Sequence, residues 1–147
     1  HRLNLSIGAT TAEEMKKQIG CAMPLMTEET MQVRGRDLIT GLPQTLTVTS
    51  SQIYEAMHDS IQKIVDVVKQ TLERTPPELA SDIMERGIII AGGGALIKGL
   101  DTLIAKETEM PVYIAENPLE CVARGAEKTL EDLEKLRDVL MNSRRKR

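Results

Sequence analysis

Apolar residues recur along this chain with more than one period, and each period predicts a different element. In "TTAEEMKKQIGCA", residues 10–22, Ala12, Met15, Ile19 and Ala22 repeat at spacings of three and four. That spacing puts them on one face of a helix. Thr11 followed three residues later by Glu14 reads as a capping box at its start, and Pro24 closes it. In "TMQVRGRDLITGLPQTLTVTS" the period falls to two. Met31 and Val33 belong to one strand, which runs toward Asp37-Leu38. Leu46 and Val48 alternate with Thr45, Thr47 and Thr49 in the other. Thr40-Gly41 supplies the hairpin turn, and Pro43 sits where a strand tolerates it, at the start.

The helical period then returns. Thr49 to Ser51 offer caps, and Ile53, Met57, Ile61, Ile64, Val68 and Leu72 form a long apolar stripe. Thr75-Pro76-Pro77 stops that helix. Pro77 opens a short one, "PELASDIMER", which Gly87 ends. "IIIA" is a continuous apolar run of the kind found in strands buried on both faces. After Gly92, Gly93 and Gly94 a helix carries Leu96, Leu100, Leu103 and Ile104. "PVYIA" is the next strand. Asn117-Pro118 reads as an N-cap and an N1 proline for a last helix striped by Leu119, Val122, Ala126, Leu130, Leu133 and Leu140. From Glu127 onward its other face is densely charged. Strand, glycine turn, helix, strand, helix is an α/β unit. Two strands are few for an open sheet, so its remaining strands are expected upstream. "HRLNLSIG" holds no Met and opens abruptly, which fits a piece of a longer chain. No internal repeat or low-complexity linker interrupts the 147 residues.

Composition narrows the chemistry. The aromatic residues are two Tyr alone, so the core is built from aliphatic side chains and eight Met, and no aromatic platform for nucleic-acid bases exists. A net charge of −3 argues against a nucleic-acid partner. Cys21 and Cys121 stand far apart, and His1 and His58 are isolated, so no zinc spacing exists and free thiols are expected. No apolar stretch approaches the length of a membrane span. There is no Ser/His/Asp set, no Cys/His pair and no acidic cluster for a metal ion. The carboxylates of "EKTLEDLEK" alternate with Lys as on a solvated face.

Four stretches remain. "GGGALIKGL" lacks the Gly-Lys-Ser/Thr ending of a Walker loop and is not GxGxxG, since position 97 is Ile. Its setting, a buried strand running into glycines and then at once into a helix, suits an anion or nucleotide. A tight, closely packed turn explains the same residues, and both readings stay open. In "TAEEMKK", Glu13 and Lys16 could reach the hydroxyls and ring edge of a nucleoside, while Glu13 with Lys17 is also an ordinary stabilising pair. Arg34 and Arg36 share one face of the hairpin, either solvated or an interaction surface. "RRKR", Arg144 to Arg147, reads as a solvated tail or as a contact with an acidic partner.

Four long motifs, "TAEEMKKQIG", "VRGRDLITGLP", "LERTPPELASDIMERGIIIAGGGALIKGLD" and "AENPLECVARGAEKTLE", occur in order. Over about Asn4 to Leu130 they resemble the C-terminal part of the MreB/Mbl family of bacterial actin-like, rod-shape-determining proteins. Ala9-Thr10 stands where an acidic-basic pair is common, and Cys21 replaces a small residue. The resemblance implies the actin/heat-shock-chaperone ATPase fold, ribonuclease H-like and α/β, of which this chain is a second-lobe fragment. Residues 1–60 would be the outer subdomain with its β-hairpin, 61–130 the C-terminal part of the inner one, and 131–147 a charged extension with a basic tail.

The resemblance also implies ATP as ligand, with magnesium in the complete protein. Glu13 and Lys16, with Glu14 and Met15 between them, would meet ribose and adenine. Gly92, Gly93, Gly94 and Ala95 would cradle the sugar and α-phosphate side. The family's phosphate loops and catalytic carboxylates lie upstream, so this chain alone is expected not to be an ATPase. Implied partners are further copies in a filament and the cell-wall elongation machinery including RodZ. Localisation would be cytoplasmic, at the inner face of the membrane, with membrane contact through upstream segments only. A sugar kinase of the same superfold needs a sugar pocket and a catalytic Asp, and neither is visible. A stand-alone interaction module using Arg34 and Arg36 or the tail is the other alternative.

Overall fold

The computed structural model describes residues 4–132. The "RRKR" tail, Leu133 and Leu140 lie outside the described residues. Strands β1 (Leu5–Ser6), β2 (Thr30–Asp37) and β3 (Pro43–Thr49) form an antiparallel sheet in that order. Met31 pairs with Val48 and Val33 with Leu46, so the period-two pattern sets the register. Arg34 and Arg36 fall on the exposed face. The turn is held by Asp37, whose Oδ1 accepts from the Ile39 and Thr40 amides at 2.8 and 2.7 Å. Helix α1 (Ala9–Ile19) covers the inner face, where Met15, Ile19, Val33 and Val48 form the first core.

Helix α2 (Ser50–Glu73) runs from this core into a second one. Ile53 packs on the first. Ile61 and Val65 join Ala22, Leu100 and Ile104 in the second. Helix α3 (Pro77–Arg86) leads to β4 (Ile88–Ile90), which pairs in parallel with β5 (Val112–Ile114) across α4 (Leu100–Thr108). Helix α5 (Cys121–Glu131) follows. Lys69 of α2 bonds Glu107 of α4 and clamps that packing.

Several sequence expectations are corrected. Helix α1 starts at Ala9, two residues before Thr11, with Gly8 as N-cap and no side-chain cap; Ala12 is exposed. Thr11 and Glu14 therefore form no capping box. The capping box belongs to α2, where Thr49 and Gln52 bond each other's backbone reciprocally. Val65 is 0% exposed while Ile64 faces outward, because the stripe continues from Ile61 by a step of four, not three. The isoleucine strand is covered on one face only: Ile90 packs on the second core and Ile89 is 70% exposed. Asn117 opens a turn closed by the Glu120 amide instead of capping a helix, and α5 starts at Cys121. Its stripe of Leu119, Val122 and Leu130 is exposed.

Candidate functional site

The glycine run does not open directly into the helix as its pattern suggests. Gly93–Leu96 form one 3₁₀ turn, and α4 begins four residues later at Leu100. Backbone geometry explains the first glycine. Gly92 sits at φ 82°, ψ 175°, a region open essentially to glycine alone, and its N–H donates to the Pro118 carbonyl at 2.7 Å. The turn closes through Ala95 N–H to Gly92 O and Ile97 N–H to Gly94 O, and the buried Ala95 seats it.

Neither strain nor packing explains Gly94. Its φ lies outside the left-handed range, and a Cβ there would meet nothing within 4 Å. At Gly93 a Cβ would meet only the Leu119 side chain, at an ordinary 3.5 Å. Both residues are exposed, and among the described residues their N–H groups have no backbone acceptor. Two bare amides under open space suit an anionic or strongly polar group that approaches the backbone closely.

Glu13 and Lys16 lie on the flank of α1 beside its buried stripe. Lys16 Nζ stands 2.6 Å from Glu13 Oε2, and Lys17 Nζ is farther, at 3.9 Å from Oε1. The Lys16 hydrogen bond outweighs desolvation and, with the charges of Lys16 and Lys17, holds the Glu13 carboxyl below its ordinary value. The pair offers a charged hydrogen-bond acceptor beside an ammonium group. Glu14 is exposed, but at 100° per residue it stands about 160° around the helix from Lys16. Met15 is buried against Ile19, Val33 and Val48, with its open side toward a groove lined by Leu5, Ile7 and Ile53 and edged by Gln52, Glu55 and Asp59. Met15 thus packs in the first core and lines that groove.

The segments that follow these two candidate stretches are joined at Lys98. Cys21 and Lys98 form a parallel bridge, and Ala22 N–H donates to the Lys98 carbonyl at 2.8 Å. Lys98 Nζ donates to the Gln18 carbonyl at 3.0 Å and to both Glu29 oxygens at 2.8 and 2.6 Å. The last turn of α1, which carries Lys16, is thereby bonded to the residue that follows the glycine turn. Cys21 is buried beneath this junction and its thiol is pushed up by burial. Sequence reasoning missed Lys98 and Glu29. The one available signal was a lysine inside the apolar run "ALIKGL". Among the described residues no three His, Cys, Asp or Glu side chains gather to hold a metal ion, and no helix is long and apolar enough to cross a membrane.

Comparison with known proteins agrees with this architecture. The family model for MreB/Mbl protein matches residues 1–138. Cell shape-determining protein Mbl of Bacillus subtilis (strain 168) is 49% identical over 132 residues, covering 90% of this chain and 40% of the relative. Cell shape-determining protein MreB of Escherichia coli (strain K12) is 50% identical over 125 residues, 85% of this chain and 36% of the relative. The crystal structure of MreB5 of Spiroplasma citri bound to ADP superposes with a TM-score of 0.85 at 39% identity, covering 92% of this chain and 41% of that one. The MamK double helical filament shares the fold, with a TM-score of 0.71 at 21% identity over 89% of this chain and 40% of that one. The chain spans about 40% of the length of the Mbl relative. With a family model matching nearly its whole length and relatives about half identical, this chain belongs to the MreB/Mbl family of cell shape-determining, actin-like proteins.

Proposed function

We propose that this chain carries the adenosine-holding half of an ATP-dependent cytoskeletal protein that assembles into filaments and sets rod shape by organising peptidoglycan synthesis. The observation that carries the reading is the bare backbone at Gly93 and Gly94, bonded through Lys98 to the helix that bears Glu13 and Lys16. Glu13 would accept from the ribose, Lys16 would meet the base edge, and the glycine amides would face the sugar and α-phosphate side. The structures of MreB5 bound to ADP and to AMPPNP support a nucleotide as the ligand.

Phosphoryl transfer needs phosphate loops and metal-holding carboxylates. In this proposal the chain alone binds nucleotide without hydrolysing it, and magnesium is held by other parts of the full-length protein; among the described residues no three His, Cys, Asp or Glu side chains gather to hold a metal ion. The hairpin tip supports self-assembly. Leu38, Ile39 and Leu42 are exposed on a turn held rigid by Asp37 and by Arg36, whose Nε donates to the Gly41 carbonyl at 3.1 Å. Exposed apolar groups on a stiff support suit a contact with a neighbouring copy. Contact with RodZ and the elongation machinery, and a place at the cytoplasmic face of the membrane, belong to the same proposal for the full-length protein.

The test is a titration of the chain with ATP, followed by amide NMR shifts so that millimolar binding is visible. Shifts should concentrate at Glu13, Lys16 and Gly92 to Ala95, and Glu13→Gln should weaken binding by about tenfold, the loss of one charge-assisted hydrogen bond. Shifts that avoid both walls, or steady phosphate release by the chain alone, refute the reading.

A further inference from the structure

We infer that Lys98 is a positioning residue for the nucleotide site: it sets the distance between the glycine turn and the Glu13/Lys16 helix. The inference rests on the site reading above and adds to it a residue that faces no nucleotide. Lys98 is bonded at both ends. Its carbonyl accepts from Ala22, the third residue past α1, and its ammonium spans the Gln18 carbonyl and the Glu29 carboxylate. Gln18 O is one of the terminal carbonyls that a helix leaves without an internal partner, and a cation there also complements the helix dipole. Glu29 immediately precedes β2, so the same ammonium gathers the exit of α1 and the entry of the hairpin sheet onto one point. That point lies one residue beyond Ile97, which closes the glycine turn.

The energetics favour positioning over stability. The Lys98 and Glu29 side chains are 42% and 41% exposed, and an ion pair that open to water adds little to folding. A carbonyl and two carboxylate oxygens converging on one ammonium nevertheless define one arrangement of the segments they join. Losing the ammonium frees the last turn of α1 and the entry of β2 from the Lys98 side chain, while the Ala22–Lys98 backbone bond and both cores remain in place. Residues that join two parts of a site can change ligand affinity without touching the ligand.

The experiment is the same ATP titration on wild type, Lys98→Met, Lys98→Arg, Glu29→Gln and the Lys98→Met/Glu29→Gln double variant, with thermal unfolding in parallel. Lys98→Met should weaken ATP binding by roughly fivefold while its Tm stays near that of wild type. Glu29→Gln should weaken binding in the same sense, and the double variant should be no weaker than Lys98→Met, since both remove one interaction. Lys98→Arg, whose fork reaches a carboxylate and a carbonyl together, should restore binding to within about twofold. Glu13→Gln serves as the control for the site itself. If it leaves binding unchanged, the site reading fails and this inference with it. If Glu13→Gln weakens binding and Lys98→Met does not, the site stands and the positioning role is overturned. A Tm loss in Lys98→Met that Lys98→Arg cures without restoring ATP affinity also overturns it, because the role would then be structural.

Discussion

Alanine at Gly94 separates a glycine kept for the fold from one kept for a ligand. Three effects can be weighed from the structure. The backbone φ at Gly94 is one that alanine adopts, so no strain is introduced. The added Cβ meets nothing within 4 Å, so no clash is introduced either. What remains is the unfolded chain, which loses conformational freedom when glycine becomes alanine, and that stabilises the native state by about 0.4–1 kcal/mol. Gly92→Ala is the opposite case. At φ 82° and ψ 175° a side chain is strained, and the cost is about 1–3 kcal/mol. For ligand binding the order reverses at Gly94, where the new methyl occupies the space a nucleotide would use. A loss of about tenfold in ATP affinity, or about 1.4 kcal/mol, is expected. Urea unfolding with a common m value reads the first quantity, and the NMR titration reads the second. A Gly94→Ala chain that loses more than about 1 kcal/mol of stability would refute the open-space argument. One that gains stability and keeps its ATP affinity would remove the glycine turn from the site.

Three further predictions concern the fold beneath the site. Val65→Ala deletes two methyl groups from a side chain with 0% exposure in the second core and should cost about 1–3 kcal/mol in urea unfolding, whereas Val67→Ala on the exposed face should stay within about 0.5 kcal/mol. Thr49→Ala removes the side-chain half of the capping box of α2 and should cost about 1 kcal/mol, with amide exchange fastest at Gln52. Asp37 is held below its ordinary value of 3.8 by the Thr40 and Ile39 amides. Its support of the hairpin turn is therefore fully present above about pH 4 and is lost as pH falls through its lower folded value. Amide shifts of Ile39 and Thr40 followed downward from pH 6 should move with a midpoint below 3.8, and Asp37→Asn should abolish that transition; a midpoint at or above 3.8 refutes the turn assignment.

Much of the fold was legible because periodicity reports burial. The hairpin register follows from Met31, Val33, Leu46 and Val48, and proline and glycine punctuate "TPPELASDIMERG" where α3 starts and stops. The motifs also named the family and, through it, both walls of the candidate site. The errors fall where local pattern has two solutions. Thr11 with Glu14 and Thr49 with Gln52 carry the same signature, and only one forms, because the α1 backbone turns helical at Ala9 before Thr11 is reached. Ile64 and Val65 are adjacent and both apolar, and which one is buried depends on where Leu100 and Ile104 lie. Met15 lies between Glu13 and Lys16 in the sequence, but neighbouring residues on a helix point about 100° apart, and its burial in the first core was not visible from that adjacency.

Residue order along the chain was sufficient for the hairpin, the main helices, much of the aliphatic core and the two motifs that suggest a nucleotide, because each is a matter of local spacing. The junction between those motifs was not recoverable that way. Gln18, Glu29 and Lys98 are separated by 69 to 80 positions where they bond, and no period connects residues so far apart. Nor did three identical letters reveal that Gly92 answers to a dihedral angle and Gly94 to empty space above it. Those distinctions depend on what surrounds each backbone atom in three dimensions, and only packing of the two cores about α2 brings those surroundings into being.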